Sequence, residues 1–293
     1  TLIGEAEGVL YPWLGGASPK YASVSHVAQT WKGRGIVLST GNWHFRFARH
    51  AIETLRAMGC TLPIEVFYAG TQDLTRANIE ELSSIDGVKV FDLSQRINLN
   101  KSPIGGWATK PFTMFASSFQ EVIFMDSDTL FLQDPETMFS MKRYVDTGAV
   151  YFMDRTMPGD SLMKYMREVS STISDTAKTT GRAWTGKSFH EADSGVVLID
   201  KRRHLHTLLM VCMMNSSPYR DEIYKHVHGD KETFWLANEV MRTPYGWAPG
   251  GGGTIGFPEP RDPTYICGGL FHVDEQWQPL WFNGGLVMNK HTD

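Results

Sequence analysis

Asp126-Ser127-Asp128 sets two carboxylates one residue apart directly after the apolar run Val122-Ile-Phe-Met125. Far downstream, His272 ends a second apolar run and precedes Asp274 and Glu275 in a turn. Asp-x-Asp is common as a polar loop cap, and on a straight strand its side chains point to opposite faces. A turn just after a strand instead converges them, directly or through water, on one hard cation. With the His272 imidazole, Asp126 and Asp128 make a mixed oxygen and nitrogen donor set, which tilts preference from Mg²⁺ toward Mn²⁺.

Other groupings are weaker. His204-Leu-His206 and His226-Val-His228 lack the i, i+4 spacing of a helical zinc site and read as surface or capping residues. Gly251-Gly-Gly-Thr-Ile-Gly256 spells a dinucleotide fingerprint, but Pro249 and Pro258 bracket it, so it neither ends a strand nor opens a helix; a flexible loop beside a site is expected. No Gly-x-x-x-x-Gly-Lys-Ser/Thr and no Gly-x-Ser-x-Gly occurs, which argues against a P-loop NTPase and an α/β-hydrolase. Three cysteines, Cys60, Cys212 and Cys267, show no Cys-x-x-Cys spacing and leave room for at most one bridge. Asn100-Lys-Ser and Asn215-Ser-Ser are weak hints of a secretory route, each followed by a stiffening proline.

The elements that must position the acids follow from periodicity. Four consecutive apolar residues before Asp126 predict a strand covered on both faces, with the acids at its C-terminal edge, where open α/β sheets bind ligands. Residues 1–34 form an arm that packs on the domain, with a short helix around Tyr21 to Trp31. Gly35 to Asn42 is a buried strand running into a small-polar turn, followed by a helix with Phe45, Ala48, Ile52 and Leu55 on one face. Strands at Pro63–Ala69 and Val88–Asp92 flank a helix from Asp73, its expected cap, to Ser84. This β-α-β-α-β order favours parallel pairing. Trp107 to Phe119 is the next helix.

Beyond Pro135, strands are expected at Gly148–Phe152 and Ala192–Asp200, and helices at Ser161–Ser170 and Lys201–Met214. Ser171 to Lys187 reads as a polar loop. A last helix begins near Gly229, capped by Asp230, with Thr233, Phe234 and Ala237 on one face. Tyr265–Val273 and Leu280–Gly285 are expected as short strands around a turn.

The chain of 293 residues is 42% hydrophobic and 12% aromatic, enough for a sizeable core and incompatible with disorder. A formal charge of −4 exerts no global pull on nucleic acid or an anionic membrane, so any phosphate must be held locally. No run has the length of a membrane span, and no linker isolates a second domain.

Ile36–Ile52, Trp107–Pro135, His190–Lys201 (HEADSGVVLIDK), Gly229–Leu236 (GDKETFWL) and Leu270–Gly284 together resemble the fungal Mnn1-type α-mannosyltransferases, in the order that family has them. The resemblance implies an α/β GT-A fold: a single Rossmann-like mixed sheet flanked by helices, over residues 35–293. Its donor half is about 35–135 and its acceptor half about 136–293. It further implies GDP-mannose as donor, Mn²⁺ or Mg²⁺, and retaining transfer to a mannosyl acceptor on a glycan. The enzymes it points to are Golgi type II membrane proteins, of which this would be the lumenal part, its anchor absent from this chain. A transferase using UDP-galactose or UDP-glucose, a non-catalytic glycan-binding relative and a metal-dependent phosphohydrolase are the competing readings.

In that frame Asp126, Asp128 and His272 hold the metal against the leaving diphosphate. Ser39, Thr40 and Asn42 offer a strand-end turn for the base or ribose, and Lys110 and Ser127 are assigned with them to the donor. Asp193 faces the sugar as nucleophile or oxocarbenium stabiliser. Asp230 and Glu232, at a helix N-terminus, hold donor hydroxyls. Two inversions through a carboxylate and front-face departure are both open.

Overall fold

The computed structural model describes residues 2–14, 23–170 and 172–284. The arm carries two helices, α1 (Leu2–Leu10) and α2 (Val24–Thr30). Trp13, Val27 and Trp31 are buried; Trp13 meets Phe112 and Phe115 edge-on, and the Trp31 indole N–H donates to the Phe115 carbonyl. The arm's aromatic residues thus brace the helix that carries Lys110.

The first half runs β1 (Arg34–Ser39), α3 (Phe45–Ala57), β2 (Ile64–Tyr68), α4 (Arg76–Ser83) and β3 (Val88–Asp92), then a 3-10 turn (Gly106–Thr109), α5 (Lys110–Ala116), β4 (Glu121–Met125) and β5 (Thr129–Phe131). The expected face of α3, Phe45, Ala48, Ile52 and Leu55, is buried. The second half contains α6 (Lys142–Thr147), β6 (Ala149–Met153), α7 (Ser161–Val169), α8 (Asp175–Thr180), β7 (Ala192–Asp200), α9 (Leu205–Met214), α10 (Tyr219–Ile223), α11 (Thr233–Met241), β8 (Gly246–Trp247), β9 (Gly253–Glu259), β10 (Asp262–Val273) and β11 (Pro279–Asn283).

Seven strands form the central mixed sheet in the order β3-β2-β1-β4-β7-β6-β8. All run parallel except β7, which is antiparallel to both neighbours. This is the GT-A arrangement. Val122, Ile123, Phe124 and Met125 are wholly buried, as a two-faced strand requires; each such side chain contributes roughly 1.5–3 kcal/mol through burial. Antiparallel pairing of Met125 with Val196 sets the exit of β4 against the entry of β7. Two stretches remote in sequence, Asp126 and Asp193-Ser194, therefore arrive at one edge.

A second sheet of four antiparallel strands, β5-β11-β10-β9, stands apart from the first. The single expected sheet is thus the seven-stranded one, with the C-terminal strands making another. Gly251–Gly256, expected as a flexible loop, instead enters β9 and pairs along β10. There the backbones come so close that a Cβ at Gly256 would lie 1.9 Å from the Cys267 carbonyl oxygen, so side-chain-free residues serve a close strand approach.

Several local expectations differ. Asp73 does not cap α4: Thr75 does, accepting from the Asn78 amide, while Asp73 turns back to the Ala69 amide at 2.7 Å. The stretch expected as the polar loop 171–187 contains α8, capped by Ser174. Asp230 does not cap α11, which begins at Thr233 with no side-chain cap. All three cysteines are free, Cys60 and Cys212 buried and Cys267 exposed. Asn215 is fully buried, its side-chain amide bonded to Val211 and Thr233, which removes it as a glycan acceptor. Tyr21, Ala22, Ser171 and Gly285, where some expected elements begin or end, lie outside the described residues.

Candidate active site

A cleft of about 680 Å³ opens at the C-terminal edge of the central sheet. Ser39, Thr40 and Asn42 line it from the end of β1, Lys110 from α5, and Asp126, Ser127 and Asp128 from the turn after β4. The residues assigned from sequence to metal or donor therefore meet in one place, save His272, Asp230 and Glu232. The tripeptide is held at three points: the Asp126 amide donates to the Gly195 carbonyl at 2.8 Å, the Ser127 hydroxyl to the Ser39 carbonyl at 3.0 Å, and the Gly284 amide to the Asp128 carbonyl at 3.2 Å.

Lys110 is the hub. Its ammonium, almost wholly buried, lies 2.9 Å from Asp126 Oδ2, 3.1 Å from Ser194 Oγ and 3.5 Å from Asp230 Oδ2. Burial pulls this amine's pKa down, yet Asp126, Asp230 and Asp193 together hold it above the ordinary lysine value, so it is a fixed cation. Burial lifts Asp126 to about 7 against the pull of Lys110, with Asp128 and Asp230 pushing the same way as burial. Asp230 is likewise raised by burial, opposed by Lys110. Its Oδ2 has no hydrogen-bond partner.

One layer behind, His272 Nε2 lies 2.9 Å from Asp193 Oδ2, and Asp193 Oδ1 accepts from the Gly195 amide at 2.9 Å. Burial pushes Asp193 up, but His272, the Gly195 amide and Lys110 together outweigh it and hold the carboxyl below its ordinary value. The imidazole stacks on Trp281, its cross-strand partner on β11, at 4.2 Å. His272 thus faces Asp193, not the pair Asp126 and Asp128. Among the described residues no three His, Cys, Asp or Glu side chains are grouped as a ready metal site.

Glu232 also departs from expectation. Fully buried, it accepts from the Glu191 and Ala192 amides and the Trp235 indole N–H, so it staples α11 to the start of β7 and presents nothing to the cleft. Asn42 is partly committed too, its side-chain oxygen accepting from the Thr75 amide and the Asn78 side chain. Sequence reasoning missed Tyr68 and Gln72, which line the cleft from β2 and the loop after it, and Asn283, whose buried Oδ1 has no partner. Asn283 ends an apolar strand, the one signal that would have marked it.

A mixed sheet with one reversed strand and a carboxylate-rich cleft at its edge are the features of the GT-A fold. Residues 33–274 match the family model described as "Mannosyltransferase putative", and the chain belongs to that family. It is 26% identical to the α-1,3-mannosyltransferase MNT2 of Saccharomyces cerevisiae, over 88% of this chain and 53% of that one. It is also 26% identical to the protein named probable α-1,3-mannosyltransferase MNT4 of the same yeast, over 88% of this chain and 50% of that one. The chain spans about half the length of these relatives. Among solved structures, the mannosyltransferase Ktr4p from S. cerevisiae in complex with GDP aligns at a TM-score of 0.46 and 12% identity, covering 80% of this chain and 75% of that one.

Proposed function

We propose that this chain moves mannose from GDP-mannose to a mannosyl residue of a glycan, with retention of configuration and formation of an α-1,3 linkage. The observation that carries the reading is the cleft floor, where Asp126 and Asp128 lie beside a lysine that ties Asp126 to Asp230. The names of the relatives support mannose and the linkage.

Asp126, Asp230 and Asp193 act on Lys110, Asp128 adds its charge beside Asp126, and His272 sits against Asp193. Raised pKa values at Asp126 and Asp230, two carboxyls that share one lysine, mark an excess of buried negative charge that a divalent cation would offset. Asp126 and Asp128 would hold Mn²⁺ or Mg²⁺. His272 joins them only by giving up its bond to Asp193. The ion would neutralise charge growing on the diphosphate as the anomeric bond breaks.

The chain's own groups do the rest. Ser39, Thr40 and Asn42 receive the nucleoside, with Tyr68 and Gln72 across the cleft. Lys110 holds Asp126 and Asp230 in register, so Asp230 acts on the cleft through the lysine. Asp193 has an N–H donor on each oxygen. It serves as a fixed negative charge under the developing oxocarbenium more readily than as an attacking nucleophile, which favours front-face departure, the leaving phosphate taking the acceptor proton.

We place the activity in the Golgi lumen, with any membrane anchor outside this stretch; among the described residues no helix is long and apolar enough to cross a membrane. A screen of GDP-mannose, UDP-galactose and UDP-glucose with Mn²⁺, read as nucleoside diphosphate release, tests the reading. Release from GDP-mannose that depends on a mannosyl acceptor supports it. Release only from a UDP-sugar overturns the donor, phosphate release without acceptor points to a hydrolase, and no release at all leaves a glycan-binding relative.

A further inference from the structure

Gly229 to Glu232 sends its three charged side chains three ways. Asp230 goes to Lys110 beside the cleft, Glu232 to the start of β7, and Lys231 to Asp154, with Nζ 2.6 Å from Oδ2. Just before them lies His228, exposed, with its ring 5.1 Å from that of Trp107 and 6.0 Å from that of His190. Trp107 is 56% exposed and also lines the cleft. It is therefore shared between the cleft and this second surface. Gly229 has φ +67°, and a Cβ there would lie 2.7 Å from Trp107 Cε3, so the indole rests on bare backbone. His190 Nδ1 is buried without a hydrogen-bond partner.

We propose that Trp107 and His228, backed by His190 and the Lys231–Asp154 pair, form a shelf that binds the acceptor mannosyl residue. An exposed indole face takes the C–H side of a pyranose ring. The exposed His228 imidazole beside it exchanges hydrogen bonds with the hydroxyls, while the largely buried Lys231–Asp154 pair fixes the segment that carries His228. Burial lowers the His190 pKa to about 4, which keeps the ring neutral; its buried Nδ1 faces Glu232 Oε1 at 3.8 Å, so this ring supports His228 and does not itself meet the sugar. The nucleoside pocket occupies the β1–β2 side of the cleft, while this shelf lies on the β7–α11 side, next to Asp230. A sugar there approaches the reacting carbon from the end that the nucleotide leaves open.

The assignment rests on the transferase reading, so its test separates the two. Isothermal titration of the wild-type chain with α-mannobiose, in the presence of GDP and Mn²⁺, measures the shelf, and titration with GDP alone plus Mn²⁺ measures the donor pocket. His228→Ala is expected to weaken mannobiose binding by about fivefold, and Trp107→Ala by about tenfold, on the scale of one lost aromatic contact. His228→Ala should leave GDP binding unchanged. Mannobiose that fails to bind the wild type, or that binds His228→Ala and a folded Trp107→Phe,His228→Ala double variant as tightly as wild type, overturns the shelf. Absence of GDP binding, by contrast, sinks the donor reading and leaves the mannobiose result to decide the shelf alone.

Discussion

Lys110 Nζ lies 2.9 Å from Asp126 Oδ2, and the same ammonium touches Ser194 and Asp230, so one buried cation joins the turn after β4, the entry of β7 and the segment leading into α11. Replacing it leaves buried carboxylates without their partner. Lys110→Met is expected to destabilise the fold by about 3 kcal/mol, the usual cost of breaking a buried pair from one side. Thermal unfolding checks this, and an unchanged Tm would mean that the carboxylates find water or protons at no cost.

Asp126→Ala and Asp128→Ala should each abolish Mn²⁺-dependent transfer while the circular dichroism spectrum stays that of the wild type. Near-normal turnover in either variant would remove the metal-binding role.

Asp193→Asn separates the two retaining routes. If Asp193 acts as a fixed charge, kcat falls by about 100-fold, in line with loss of one electrostatic stabiliser. A covalent nucleophile would instead cost on the order of 10⁶. Saturating both substrates isolates kcat.

Lys201 gives a pH signature away from the chemistry. Wholly buried, its ammonium donates to the Met114 and Ser117 carbonyls and the Ser117 hydroxyl, over the face of Trp31. Burial pulls its pKa well below 10.5. Between that depressed value and 10.5 the unfolded chain binds the proton that the folded chain has shed, so stability rises with pH across this window. Lys201→Met should flatten that rise in urea titrations run at a series of pH values.

Glu275 accepts from the Lys142 and Arg143 amides at 2.7 and 3.0 Å, capping α6 from the turn that follows His272. Glu275→Ala is expected to cost about 1 kcal/mol, as lost helix caps do. An equal loss in Glu275→Gln would show that charge, not the acceptor oxygen, matters.

What could be read in advance was what local pattern dictates. A strand buried on both faces must be written as an apolar run, so Val122–Met125 and the acids at its end were legible, as were the β-α-β-α-β opening and the face of α3. Side-chain direction was not. Nothing in the spacing of Asp230, Lys231 and Glu232 says that one meets Lys110, one meets Asp154 and one turns to β7. His272 chose Asp193 because β10 pairs with β11 and stacks the ring on Trp281, a register no one-dimensional pattern records. Gly251–Gly256 misled because glycines that suit a phosphate loop suit a close strand crossing equally well.

The stretch from Glu121 to Phe131 belongs to both sheets, β4 in one and β5 in the other, with the acids between them. The site is therefore a joint between two sheets. Melting of the C-terminal hairpins releases β11 from β5 and the Gly284 amide from Asp128, while the parallel strands keep their hydrogen bonds. Hydrogen exchange at the amides of β10 and β11 should then report when the catalytic geometry is lost, well before the amides of β1 and β4 report that the protein has unfolded.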